Sequence, residues 1–207
     1  MFSFPSKIYP ITDITISGLS HAAQVERLIA GGARLIQLRD KHSSPRAFFT
    51  DAEAAVTMAR SHGVQIIIND RVDMALALRA DGVHLGQGDV PPEAARKLLG
   101  ETAVIGFSVH SVEQAKAAMK LPIDYLGIGP VFPTSTKERP DPVIGLEGLQ
   151  RAREVAGEIP LVAIGGIKLQ NVPGILDAGA NAVALISALL GNSSEITAQM
   201  KDLNQLK

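Results

Sequence analysis

Eight short runs of apolar, largely β-branched residues recur along the chain, and each is followed by a stretch whose apolar residues repeat at helical spacing. The runs are Ile8–Thr12, Leu35–Leu38, Gln65–Ile68, Gly82–Leu85, Ala103–Phe107, Tyr125–Ile128, Leu161–Ile164 and Ala182–Leu185. Ala22, Val25, Leu28 and Ile29 carry one helical stretch, Val112, Ala115, Ala118 and Met119 another, and Leu146, Leu149, Ala152 and Val155 a third. Runs this apolar suit strands buried on both faces, which belong to parallel sheets covered by crossover helices. Spread over eight cycles, 207 residues leave about 26 per cycle, close to the minimum for a strand, a crossover helix and two short loops. The pattern predicts an α/β chain folded as a single compact (β/α)8 TIM barrel over residues 1–207. An open doubly wound sheet is the alternative, but such sheets usually stop at about five or six strands.

Local signals agree with this phasing. Pro91 and Pro92 open the helix of the fourth cycle, and Ser111 precedes that of the fifth with Glu113 in its first turn. Gly32 and Gly179 close the helices of the first and seventh cycles, and the strings Ala-Gly-Gly-Ala (30 to 33) and Asp-Ala-Gly-Ala (177 to 180) form a weak internal repeat. The stretch from Phe132 to Gly145, with three prolines among charged residues, fits neither element and reads as a loop over the site.

Composition then narrows the function classes. A formal charge of −1 leaves no overall basic field for nucleic acid or an anionic membrane, so any anion specificity must be local. Zero cysteines exclude a disulfide framework, thiolate metal ligands and a cysteine nucleophile, and agree with a reducing cytosol. The first ten residues lack the apolar core of a signal peptide, and no run approaches the roughly 18 apolar residues of a membrane span. The expectation is a cytoplasmic protein whose partners are small phosphorylated molecules; a homo-oligomer is compatible with it.

In a barrel, chemistry sits where strands run out at their carboxyl ends. Gln37, Arg39 and Lys41 alternate with Ile36, Leu38 and Asp40, so the first three share a side aimed at the barrel axis. Burying two cations and an amide there without an anionic partner is costly. Gly127, Gly129 and Ala184 have inward parity on strands six and eight; they either leave a hollow or relieve tight packing. Asp70 and Asp89, with Asn69 beside them, lie next to the cations; salt bridging alone would explain them, and a Mg2+ site shared with phosphate oxygens would too. Gly165 and Gly166 after strand seven, and Ile186 with Ser187 after strand eight, stand where barrels cradle a single phosphate, although Gly-Gly is also an ordinary turn. Arg39, Lys41 and Lys137 would suit a diphosphate. His110 shares parity with Ser108 and is a candidate acid/base or a loop-lining histidine; His84 reads as barrel interior, and His21, His42 and His62 as surface.

These pieces, in order, resemble the thiamine-phosphate synthase family. The resemblance is carried by Tyr-Pro-Ile-Thr-Asp (9 to 13), Gln-Leu-Arg-Asp-Lys (37 to 41), Ile-Asn-Asp-Arg (68 to 71), Asp-Gly-Val-His-Leu-Gly-Gln-Gly-Asp (81 to 89), Gly-Phe-Ser-Val-His (106 to 110), Gly-Pro-Val-Phe-Pro-Thr-Ser-Thr-Lys (129 to 137), Gly-Leu-Glu-Gly-Leu (145 to 149) and Ala-Ile-Gly-Gly-Ile (163 to 167). It implies that an aminopyrimidine-methyl diphosphate and a thiazole monophosphate are joined with release of pyrophosphate. Carried over residue by residue, Gln37 would contact the pyrimidine, Arg39, Lys41, Asn69 and Lys137 its diphosphate, and Asp70 and Asp89 Mg2+. Ser108 would face the pyrimidine region, Thr134 and Thr136 the thiazole, and Gly166, Ile186 and Ser187 the thiazole phosphate. Arg39, Lys41, Lys137 and Ser108 would then carry catalysis, and Arg39→Ala is expected to show in turnover rather than folding. Ala184 stands where some relatives carry a hydroxyl, which bears on the side-chain share of the phosphate cradle. The rival is a non-coupling relative, a thiazole tautomerase, which would use His110 as acid/base and would not need the diphosphate and metal set. A non-catalytic phosphate-binding barrel is the reading from a different class.

Overall fold

A computed structural model of the protein describes residues 2–134 and 141–205. The chain runs β1 (Ile8–Thr12), α1 (Ile14–Ser17), α2 (His21–Ala30), β2 (Leu35–Leu38), α3 (Pro45–Ser61), β3 (Gln65–Asn69), α4 (Val72–Leu78), β4 (Gly82–Leu85), α5 (Pro92–Leu99), β5 (Val104–Val109), α6 (Val112–Ala118) and β6 (Tyr125–Ile128). It continues through α7 (Gly145–Ala156), β7 (Leu161–Ala163), a 3-10 turn (Leu169–Asn171), α8 (Val172–Asp177), β8 (Ala182–Leu185), α9 (Ser187–Leu190) and α10 (Ile196–Leu203). Each strand pairs in parallel with the next, and β8 returns to β1 through Ile8 opposite Val183 and Tyr9 opposite Ala184, closing the barrel. The (β/α)8 expectation holds.

Strand parity sorts the core into two layers. Tyr9, Ile11, Leu35, Ile67, Val104, Tyr125, Val162, Ala182 and Ala184 pack inside the barrel. Side chains of the other parity, such as Ile8, Ile36, Leu38, Ile66 and Ile68, pack outward with the apolar stripes of the helices, among them Val25, Leu28, Ala52, Ala55 and Leu149. Phe2 and Phe4 lie against Tyr9 and Tyr125 at the end where the strands begin, with the Phe4 and Tyr125 ring centres 5.1 Å apart.

The helix ends follow their residues. Ser20, Ser44 and Ser111 each accept an N–H at the start of α2, α3 and α6, and Pro92 opens α5. After α2, Gly32 sits at φ 90° and the N–H groups of Gly32 and Ala33 return to Ile29 and Leu28; after α8, Gly179 sits at φ 101° and Gly179 and Ala180 return to Leu176 and Ile175. The internal repeat is therefore a pair of matched Schellman stops, each leading into a strand.

Three strands end differently from expectation, and β5 also begins one residue later, at Val104 rather than Ala103. β3 runs on to Asn69 and β5 to Val109, because ladder pairing is a backbone matter: Asn69 opposes His84 and Ser108 opposes Gly127 whatever their polarity. β7 stops at Ala163, before the left-handed turn at Gly165 and Gly166. His21, expected at the surface, is fully buried: its ring bonds Thr12 Oγ1 at 2.7 Å and Asp40 Oδ2 at 3.2 Å behind β1 and β2. The polar partners contributed by β1 and by the segment after β2 make that burial tolerable.

Candidate active site

The carboxyl ends of the strands open into a cavity of about 570 Å³. Its lining brings together Gln37, Arg39 and Lys41 after β2, Asn69 and Asp70 at the end of β3, Asp89 after β4, Ser108 and His110 from β5 and beyond, Thr134, Gly166, Ile186 and Ser187. The inward positions Gly127, Gly129 and Ala184 also line it, so the small residues do leave a hollow. Thr136 and Lys137 lie outside the described residues, as does part of the stretch read as a loop from Phe132 to Gly145. Of that stretch, Phe132–Thr134 and Asp141–Ile144 are irregular, and Gly145 begins α7.

The two described cations are held by carboxylates. Arg39 Nη1 donates to Asp13 Oδ2 at 2.7 Å, and Asp13 in turn caps α1 through the N–H groups of Thr15 and Ile16. Lys41 Nζ pairs with Asp70 Oδ2 at the half-exposed mouth. Between them in sequence, Asp40 points the other way. Burial raises its pKa, but the N–H groups of Ser43 and His42 and the ring of His21 outweigh that and hold it at about 2. The outward Asp40 thus anchors the segment that carries the two inward cations.

Asp70 sits at φ 61°, a left-handed conformation uncommon outside glycine and found disproportionately at functional sites. Asp89 Oδ2 accepts the Gly86 N–H at 2.7 Å. Burial first, and then the neighbouring Asp70 carboxylate, push Asp89 above the usual carboxylate range, against the pull of that N–H. A carboxylate pushed up by a neighbouring carboxylate is relieved by a cation placed beside it. Among the described residues no group of three or more His, Asp or Glu side chains gathers to hold a metal by protein ligands alone.

Gly165 and Gly166 have φ values of 100° and 63°. A Cβ at Gly166 would stand 2.3 Å from the Pro133 carbonyl oxygen, and one at Gly165 would stand 2.5 Å from Pro130 Cα. The pair is thus required by the close approach of the β6 and β7 loops as well as by backbone conformation. His110 donates Nδ1–H to the Gly129 carbonyl at 2.7 Å and turns Nε2 toward Asp141 at 3.5 Å.

Sequence reasoning missed the polar floor of the cavity. Gln37 Nε2 donates to Tyr9 OH at 3.1 Å, Tyr9 OH and Tyr125 OH lie 3.0 Å apart, Tyr125 OH is 2.9 Å from His84 Nδ1, and His84 Nε2 is 2.8 Å from Ser108 Oγ. Tyr9 and Tyr125 are the chain's two tyrosines, and both have inward parity, which was the available signal. Burial, the first cause in each case, pushes both phenols well above their usual value and His84 down to about 4.

The profile of the thiamine monophosphate synthase family matches residues 8–189. A thiamine-phosphate synthase from Chloroflexus aurantiacus is 42% identical over 201 residues, covering 97% of this chain and 92% of that protein. One from Clostridium novyi is 46% identical over 187 residues, covering 90% of this chain and 91% of the relative. Among solved structures, a thiamine phosphate pyrophosphorylase from Pyrococcus furiosus superposes with a TM-score of 0.83 at 38% identity, covering 96% of this chain and 95% of the other. Profile, relatives and superposition span the whole barrel, and the chain belongs to the thiamine monophosphate synthase family.

Proposed function

We propose that this cavity joins an aminopyrimidine-methyl diphosphate to a thiazole monophosphate, releasing pyrophosphate and forming thiamine phosphate. Membership in the family makes the chain a transferase of thiamine biosynthesis acting on small molecules. The observation that supports the detailed reading best is the gathering of Arg39, Lys41, Asp70 and Asp89 from neighbouring strand ends onto one wall, beside a floor carrying Gln37 and Ser108. That wall suits a diphosphate and the floor a flat heterocycle.

In this reading Arg39, Lys41 and Asn69, joined by Lys137, hold the diphosphate, and Gln37 and Ser108 hold the pyrimidine. Thr134 and Thr136 face the thiazole, and Gly166, Ile186 and Ser187 take its phosphate. The aminopyrimidine pushes electrons toward its methylene carbon as the diphosphate leaves, and the thiazole nitrogen captures the resulting cation, so no protein nucleophile is needed. Arg39 and Lys41 stabilise the charge growing on the leaving group, each contributing on the order of 3 kcal/mol at the transition state. The barrel fixes the two reactants in line. Asp70 and Asp89 fit Mg2+, which typically takes one or two carboxylates and completes its shell with phosphate oxygens and water. When bound, the ion supplies further neutralisation of the diphosphate. Its requirement is checked by Asp70→Asn, expected to raise the Mg2+ concentration for half-maximal rate with Tm within a few degrees of wild type.

No helix among the described residues is long and apolar enough to cross a membrane, and the absence of cysteine suits a cytoplasmic setting. The deciding assay mixes purified protein with both substrates, with and without EDTA, and follows pyrophosphate. Release that needs both the metal and the thiazole partner is expected. Thiazole isomerisation without pyrophosphate would overturn the reading in favour of a tautomerase acting through His110.

A further inference from the structure

The floor hydrogen bonds form one unbroken chain across the barrel, and its members leave little freedom about which atom donates. Gln37 reaches Tyr9 with its amide nitrogen, so the Tyr9 oxygen accepts there. A phenol has one proton, and the remaining partner of Tyr9 is the Tyr125 oxygen, so Tyr9 donates to Tyr125. Tyr125, having accepted, gives its own proton to His84 Nδ1. A neutral imidazole then carries its single N–H on Nε2, aimed at Ser108 Oγ. Burial keeps that ring neutral, holding its pKa at about 4. Ser108 has accepted and keeps its own proton, and its hydroxyl borders the cavity. At the other end, Gln37 has committed one of its two amide N–H groups to Tyr9 and retains a carbonyl oxygen with no protein partner among the described residues.

We propose that Tyr9, Tyr125 and His84 are positioning residues that impose a one-way order of donors, Gln37 to Tyr9 to Tyr125 to His84 to Ser108, so that the floor offers an acceptor at Gln37 and a donor at Ser108. This rests on the substrate reading above and deepens it. The complementary ring presents an N–H donor on one side and an unprotonated ring nitrogen on the other, as an aminopyrimidine does. A ring with the reverse order of groups meets donor against donor or leaves a buried group unpaired, the kind of mismatch that discriminates strongly. Tyr125 acts without reaching the cavity: it is fully buried, and it fixes the tautomer of His84 from beneath.

The geometry has space reserved for it. A Cβ at Gly106 would stand 2.1 Å from Tyr125 Cζ and 2.5 Å from His84 Nδ1, so glycine there is what admits the tyrosine–histidine contact. The two rings stack with centres 5.4 Å apart.

Two measurements test this. NMR of the substrate-free protein with isotopically labelled histidine reads the tautomer of His84 directly, with His84→Asn identifying its signals. The expected result is a neutral ring with its proton on Nε2; a proton on Nδ1 would overturn the proposal, because the chain would then run the other way. Since no substrate is present, this result is independent of whether the pyrophosphate assay succeeds. Kinetics supply the second reading. Tyr125→Phe frees the tautomer and is expected to raise KM for the pyrimidine diphosphate about tenfold, the effect of one misdirected hydrogen bond, with KM for the thiazole phosphate unchanged. Tyr9→Phe should leave the His84 proton on Nε2 and give a smaller rise through Gln37 alone. Equal changes in both KM values, or a fall in kcat alone that tracks Tm, would show a purely structural role and overturn the assignment.

Discussion

Acid should find this protein at His84. Its pKa falls from the ordinary 6.5 to about 4, chiefly because burial penalises the charged ring. The unfolded chain therefore binds a proton that the folded chain refuses between those values, and stability falls as pH drops from 6.5 toward 4. The loss approaches on the order of 3 kcal/mol at the bottom of that window. Melting curves at stepped pH should show this slope in wild type and a shallower one in His84→Asn. Arg39 makes a different case. Its expected role in turnover came from sequence alone, but the structure gives it a structural partner in Asp13, whose side chain is 7% exposed. Arg39→Ala is now expected to lower both kcat and Tm, costing roughly 2 kcal/mol of stability through the loss of a charge-assisted hydrogen bond. Asp13→Asn in the same chain should recover part of the Tm and none of the rate; recovery of the rate would place Arg39 outside the chemistry.

Elements are tied together by a clamp that repeats every two strands on the face opposite the cavity. Just before β4, β6 and β8 stand Asp81, Asp124 and Asn181, each donating its N–H to a carbonyl of the preceding strand and accepting an N–H from the same residue with its side chain. The partners are Ile66, Ile105 and Leu161. An arginine from the helix before each odd strand closes two of these clamps directly: Arg96 reaches Asp124 at 2.7 Å and Arg153 reaches Asn181 at 2.9 Å, while Arg60 caps the α4 end through the Arg79 carbonyl at 3.0 Å. At the corresponding place before β2 stands Arg34, whose side chain cannot accept, so the first pair of strands lacks the clamp. Arg96 also bonds the Ala103 and Pro122 carbonyls. Arg96→Ala should therefore cost about 2–4 kcal/mol in denaturant unfolding, while kcat of the folded fraction stays at the wild-type value because the clamp lies at the far end of the barrel. A matching loss of kcat would mean that the two faces are coupled.

Taken whole, the molecule separates a fixed end, sealed by Phe2 and Phe4 and clamped at three strand pairs, from an open end that carries charge. Because no three His, Asp or Glu side chains gather for a metal among the described residues, Mg2+ alone should hardly move Tm. Mg2+ with pyrophosphate at a hundredfold its Kd should stabilise by about 2.7 kcal/mol, read as a Tm rise in a thermal scan. A full shift with Mg2+ alone would point to a metal site complete without phosphate. The eight-cycle rhythm, the inward parity of Gln37, Arg39 and Lys41 and the small residues that hollow the mouth were all legible in the sequence, since period and side-chain size are local properties of the chain. What the sequence left open was set by closure of the barrel. Residues 9, 84 and 125 are far apart along the chain, and only the ring of strands brings them into hydrogen-bond contact. The same holds for Arg39 with Asp13, Lys41 with Asp70, and the burial of His21 between strand and loop. A pattern of apolar residues dictates which face of an element is buried. It carries no information on which distant polar atom will stand opposite, because that distance is decided by how all eight strands share one cylinder.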